Sequence, residues 1–193
     1  MLLLVLAARP AVAQTMTSQD VDALPASKPT LVEAYDPDQL QFGELRQGSG
    51  PFPVAVIIHG GCWTKGYATL RNTAPLASAL TAHGIATWNI EYLQVGDPGG
   101  RWSGTFLDWG SAADHLRVLA KSGPLDLTHV VAVGHSAGEL AALWVATRGA
   151  SCRREGRHSR GRPASRPGRG GGRRAPGDLA GFIGDDVYVV TSR

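Results

Sequence analysis

Cysteine is nearly absent: Cys62 and Cys152 are the two among 193 residues. Their separation matches no zinc-ligand spacing and permits at most one disulfide, so neither a thiolate metal site nor a disulfide framework organises this chain. No metal and no cofactor is expected. Long apolar runs are missing too, since nothing approaches the roughly 20 residues that a membrane span needs. Net positive charge is missing from most of the chain. The formal net charge is +3 and the pI about 9.1, yet nine of the 19 Lys+Arg fall between 153 and 174 against a single acid, Glu155. The remaining body is mildly acidic, so the basic pI is the property of one segment.

What is present begins with MLLLVLAARPAVAQT, an apolar run from Leu2 to Ala8 followed by Ala11-Val12-Ala13 ahead of Gln14. That pattern fits a secretory leader over 1–13 with cleavage after Ala13, and predicts a secreted or periplasmic protein. Residues 14–30 are polar and read as an extended lead-in. One domain is the default for this length, and residues 31–150 carry it.

Two short strands are expected over 31–46, separated by the turn-forming Asp36-Pro37-Asp38. Val54 to Ile58 is a continuous run of the kind that a strand buried on both faces requires, and Ile85 to Ile90 and His129 to Val133 resemble it. Between them, Asn72 or Thr73 can cap a helix with Pro75 in its first turn and Leu76, Ala79 and Leu80 as its apolar face. Phe106 to Lys121 predicts a second helix with Phe106, Ala113, Leu116 and Leu119 or Ala120 inward, and Glu139 to Arg148 a third. Strand and helix alternating in this way imply an α/β fold: a mostly parallel sheet with helices on both faces.

Two motifs carry chemistry. Gly134-His135-Ser136-Ala137-Gly138 follows a buried strand and opens a helix, the context in which G-x-S-x-G presents a serine nucleophile on a sharp turn. Gly134 and Gly138 are the elbow glycines, where a side chain would collide with the crossing strand and helix. The second motif, His59-Gly60-Gly61-Cys62-Trp63, follows the first buried strand. Paired glycines let backbone N–H groups approach a substrate and stabilise the oxyanion of an acyl-transfer intermediate. Gly60 and Gly61 shape this loop, and the donors are assigned to Gly61 or Cys62 and to Ala137 at the start of the helix. His59 supports the loop, because the general base of such folds follows the serine in the chain.

IIHGGCW, WNIEY and GHSAG in this order resemble the α/β-hydrolase fold, and in particular its carboxylesterase and kynurenine-formamidase-like branch. The resemblance runs from about Tyr35 to Arg148 and includes DPGGRW and TFLDWGSAADHLR, with Glu91 and Tyr92 matching the E-Y after the second strand. Leu93-Gln94 stand where relatives often carry arginine, and Glu139 where a further glycine is usual. The resemblance implies hydrolysis of a carboxylic ester or formamide-like bond in a small-molecule ester or amide substrate, with Ser136 as nucleophile.

It also implies a triad in the order Ser, acid, His. His158 is the one histidine after Ser136, and Asp178, Asp185 and Asp186 all follow it. His59, His83, His115, His129 and His135 precede the serine, so the required order is absent and activity near background is expected.

Residues 151–177 contain no aliphatic side chain larger than alanine and no aromatic. They cannot bury enough apolar area to offset chain entropy, which predicts a disordered Arg/Gly-rich stretch ahead of a residual apolar segment at 178–193. Arg, Gly, Pro and Ala have codons built wholly from G and C, so a frameshift near residue 150, restored around Pro176, explains the tract. The rival is a polyanion-binding arm on a non-catalytic hydrolase scaffold, salt-dependent in its affinity. No aromatic is interleaved for base stacking, so no specific nucleic-acid partner is expected. With a sheet that stops early, one parallel edge is expected to lie open.

Overall fold

The computed structural model describes residues 17–151 and 186–192. The expected leader, nearly all of the Arg/Gly-rich tract with its frame change, Cys152, His158, Asp178 and Asp185 lie outside the described residues.

Leu31–Ala34 (β1) and Phe42–Arg46 (β2) form an antiparallel hairpin. Its turn is closed locally, with Asp38 accepting the Leu40 N–H at 2.9 Å through its side chain and the Gln41 N–H at 3.0 Å through its carbonyl. Phe52–Ile58 (β3), Ala86–Ile90 (β4) and Leu125–His135 (β5) supply the centre of the sheet, and Asp186–Ser192 (β6) completes it. The order is β1-β2-β4-β3-β5-β6, parallel from β4 to β6 and antiparallel where β2 meets β4. β6 lies along β5 over His129–His135 and is itself the parallel edge strand of the sheet. That pairing joins residues 57 apart in the chain, such as His129 and Asp186, and a local reading of pattern does not register it.

The helices cover both faces, as the alternation of elements predicts. Ala74–Ala82 (α2) packs on one side, where Ala77 and Leu80 meet Ala55 and Ile57 of β3. Gly104–Leu119 (α3) and Gly138–Ser151 (α4) pack on the other, where Trp109, Leu116 and Val145 meet Val54, Val56, Ile58 and Trp88. Alternate residues of one strand thus feed two cores, which is why β3 is apolar without interruption. Trp88 anchors the larger core. Fully buried, it donates through Nε1 to the Ala112 carbonyl at 2.9 Å and lies over Gly43, where a Cβ would approach the ring to 2.6 Å.

Two local expectations are corrected. Residues 14–30 are not extended throughout, because Thr17 and Asp20 close a capping box over the single turn Ser18–Asp22 (α1). As expected, α2 has Thr73 at its N-cap position and Pro75 in its first turn, but the Thr73 side chain makes no capping bond, and a 3₁₀ turn, Leu70–Thr73, capped by Thr69, leads into the helix. The Thr73 hydroxyl instead donates to Asn89 Oδ1 at 2.7 Å. This earlier entry turns Leu70 and Ala77 inward and leaves Leu76 exposed. In α3, Phe106, Ala113, Leu116 and Leu119 face the core as expected, joined by Trp109 and by the buried carboxylate Asp108.

Candidate active site

β5 ends at His135, α4 begins at Gly138, and Ser136 lies between them with φ 52°. A left-handed conformation is costly for an L-residue with a side chain, and surroundings must impose it. Here the glycines on either side impose it. A Cβ on Gly134 would strike the Gly138 carbonyl, and one on Gly138 would strike that of Ile58. The turn closes where the Glu139 N–H donates to the Ser136 carbonyl at 2.9 Å, and the N-terminal end of α4 lies directly beyond the serine.

The His59–Trp63 loop descends from the end of β3 onto this turn. Gly61, Cys62 and Trp63 all have positive φ, 89°, 53° and 55°, so the chain reverses sharply, and the Thr64 N–H donates to Gly61 O at 3.0 Å. Gly60 is pressed on the elbow: a Cβ there would come within 2.5 Å of the His135 carbonyl and 3.0 Å of Ser136 Cβ. Trp63 Nε1 donates to the Ala137 carbonyl at 2.9 Å. Among the described residues, the N–H groups of Gly61, Cys62 and Ala137 donate to no acceptor. Unpaired donors on two converging segments beside a serine hydroxyl are what a developing oxyanion requires. Gly60 is packed against Ser136 and Ala137, and the candidate donors Gly61 and Cys62 follow it on the loop that Trp63 ties to Ala137. Cys62 is a free, exposed thiol.

Behind the loop lies a buried polar network. His59 is wholly buried; its Nε2 contacts Glu91 Oε1 at 2.8 Å and its Nδ1 contacts the Gly60 carbonyl at 3.0 Å. Tyr92 stacks on the imidazole with ring centroids 4.4 Å apart and donates to the carbonyls of His59 at 2.9 Å and Gly60 at 3.3 Å. Burial and then the Glu91 carboxylate push the Tyr92 phenol far up, so it remains a donor. Asp108 carries the next stretch, accepting from Leu93 N at 2.8 Å and Gln41 Nε2 at 2.7 Å, while the Thr105 hydroxyl donates to Leu93 O. Sequence reading missed Asp108 and Thr105; an acid one turn before Ala112 on an apolar helix face was the available signal.

Beside the elbow is a cavity of about 180 Å³ with an almost wholly apolar wall. Trp63, Phe106, Trp109 and Leu140 line it, together with Val95 and Trp102 from the loop before α3. Trp63 belongs to both the cavity wall and the glycine loop.

The described histidines are placed elsewhere. His59 is behind the loop, His83 follows α2, His115 meets Glu33 at 3.0 Å, and His129 meets Asp126 at 2.7 Å at the far end of β5. His135 adjoins the serine, but among the described residues no histidine hydrogen-bonds Ser136.

A family model described as BD-FAE matches residues 44–165, well over half of the chain. Esterase B from Lactobacillus rhamnosis is similar in structure, with TM-score 0.58 and 21% identity, covering 70% of this chain and 46% of that one. A bacterial heroin esterase has TM-score 0.50 and 25% identity, covering 60% and 35%. The Est2 esterase of Thermogutta terrifontis has TM-score 0.52 and 20% identity, covering 58% and 43%. The chain spans less than half the length of each of these structures. No curated protein matches it significantly.

Proposed function

The chain belongs to the BD-FAE family and has the α/β-hydrolase fold, and from that premise we propose that it is a serine hydrolase of carboxylic esters with Ser136 as nucleophile. The observation that carries this reading is the left-handed Ser136 pressed against Gly60, with unpaired N–H groups at Gly61, Cys62 and Ala137.

In the reaction Ser136 Oγ bonds to the ester carbonyl carbon and gives up its proton. The carbonyl oxygen, now anionic, is met by the Ala137 N–H and by the Gly61 or Cys62 N–H. Collapse breaks the bond to the alkoxy group, which leaves with a proton, and water then releases the acid from the acyl-enzyme. The apolar cavity holds one arm of the ester by excluding water from it. A formamide-like bond would pass through the same steps.

The proton transfers need a base that the described residues do not supply. In a related triad, loss of the histidine lowers turnover about 10⁶-fold and leaves roughly 10³ to 10⁴ over the uncatalysed rate. Because the order Ser, acid, His is absent from the sequence, these 193 residues are expected to act near background. The test is labelling by a fluorophosphonate probe, with hydrolysis of p-nitrophenyl acetate in parallel. Slow labelling that Ser136→Ala abolishes is the expected result. Rapid stoichiometric labelling would overturn the near-inactivity, and labelling indifferent to Ser136→Ala would overturn the nucleophile. Export is part of the same reading, and a secreted product beginning at Gln14 is its check.

A further inference from the structure

We propose that Glu91 is the positioning residue of the His59–Trp63 loop: through His59 it fixes the Gly60–Gly61 peptide so that the Gly61 N–H is presented on the Ser136 side. The inference rests on the functional reading above for its consequence, but not for its geometry.

The argument starts from peptide planarity. In a trans peptide the C=O of one residue and the N–H of the next point in opposite directions. The direction of the Gly60 carbonyl therefore decides the direction of the Gly61 N–H. That carbonyl is held from behind by His59 Nδ1 at 3.0 Å and Tyr92 Oη at 3.3 Å. Glycine has no Cβ to resist a flip of this plane, so the restraint must come from these two contacts. Gly60 is bound to remain glycine, because its other side is packed on His135 O and Ser136 Cβ.

A carbonyl oxygen only accepts, so Nδ1 of His59 carries the proton in its contact with Gly60. The ring can offer that proton steadily only if its other nitrogen is held, and Glu91 Oε1 holds Nε2 at 2.8 Å. Glu91 is itself fixed at several atoms. Oε2 accepts the Leu70 N–H at 3.0 Å, Oε1 also accepts the Tyr92 N–H at 3.2 Å, its own N–H donates to Phe42 O at 2.9 Å, and its carbonyl accepts from Tyr35 Oη at 2.7 Å. Glu91, a residue only 4% exposed, thus ties the end of β4 and the turn at Leu70 to the loop that adjoins the serine. Nothing in the acyl-transfer steps uses Glu91 directly; it acts through His59.

Glutamine at position 91 keeps the shape of this link. Its amide oxygen accepts from Leu70 N and its amide nitrogen, in the place of Oε1, donates to an Nε2 without a proton, which leaves Nδ1 protonated toward Gly60 and gives up only the longer bond from Tyr92 N. Alanine removes the link. The test compares Glu91→Ala and Glu91→Gln in the full chain by amide hydrogen exchange of the peptide spanning 59–64 and by the kinetics of Ser136 phosphonylation. Expected for Glu91→Ala is exchange at least about tenfold faster over 59–64 and a maximal phosphonylation rate lower by about 10², with the probe's half-saturating concentration unchanged. Glu91→Gln should restore both to within about threefold. Unchanged loop exchange in Glu91→Ala would overturn the proposal. So would Glu91→Gln behaving like Glu91→Ala, or faster exchange that spreads equally to α3 and so reports general loosening. If the wild type is not phosphonylated while the loop still loosens in Glu91→Ala and tightens in Glu91→Gln, the positioning role stands and the hydrolase reading falls.

Discussion

The Trp63 indole N–H donates to the carbonyl of Ala137 across 2.9 Å, joining two segments 74 residues apart in the chain. One partner closes the glycine loop after β3, and the other is the first residue beyond the nucleophile. The bond therefore sets the separation between two groups of candidate oxyanion donors. Trp63→Phe keeps most of the ring at the cavity wall and removes the donor. It is expected to cost about 0.5–1.5 kcal/mol in urea unfolding and to slow Ser136 phosphonylation by more than that loss of stability accounts for. A change in stability with no change in labelling rate would mean that the loop keeps its place without this bond.

Ser136 gives a sharper test, because its backbone conformation and its hydroxyl make opposite demands. At φ 52° a Cβ is strained, and glycine is relieved of that strain. Ser136→Gly and Ser136→Ala both remove the nucleophile and should both abolish probe labelling. In most positions glycine would be the less stable of the two by about 0.5–1 kcal/mol. Here the order is expected to reverse, with the glycine variant at least as stable as the alanine variant in thermal unfolding. The usual order, alanine above glycine, would show that Ser136 is not held in the left-handed region in solution.

What could be read from sequence follows the range of the forces involved. The runs Val54 to Ile58 and Ile85 to Ile90 declare a buried strand because each residue meets a covered face. G-x-S-x-G declares a turn because two glycines are needed within five residues. The phase of α2 was not legible: the 3₁₀ entry at Leu70 depends on Asn89 and Glu91 from another strand, and it leaves Leu76 exposed. Nor was the cavity, whose wall is assembled from Trp63, Phe106, Trp109 and Leu140 on separate elements. Glu91 and Tyr92 are visible as a pair in the sequence, but their work depends on His59, 32 residues earlier.

The elbow glycines differ from glycines that merely sit in open chain. Added methyl groups at Gly134 or Gly138 meet backbone carbonyls, which cannot move aside as a side-chain tip can. Gly134→Ala and Gly138→Ala are each expected to lose about 1–3 kcal/mol and to abolish labelling. Gly50→Ala is the control, since its Cβ would stand 3.6 Å from the Phe52 ring in ordinary contact. It should be neutral or stabilise by a few tenths of a kcal/mol through the unfolded chain. Equal effects at Gly134 and Gly50, measured by denaturant midpoint, would remove the steric account of the elbow.

Asp108 ties the stability of the contacts that α3 makes with Leu93 and Gln41 to pH. Burial raises its carboxyl above the ordinary 3.8, hydrogen bonds from Leu93 N and Gln41 oppose that rise, and Asp36 and Asp38 add to it. A carboxyl whose folded value is raised binds its proton more tightly in the native state than in the unfolded one. Its contribution is therefore fully present below 3.8 and is lost as pH rises through the raised folded value. Asp108→Asn removes this titration while an amide oxygen can still accept the Leu93 N–H. Urea midpoints of the two proteins, followed upward from about pH 3.5 toward neutrality, should diverge in one direction. The wild type loses ground to the asparagine variant as pH rises. Parallel curves would show that Asp108 does not titrate in that window, and divergence in the opposite direction would show that its hydrogen bonds outweigh its burial.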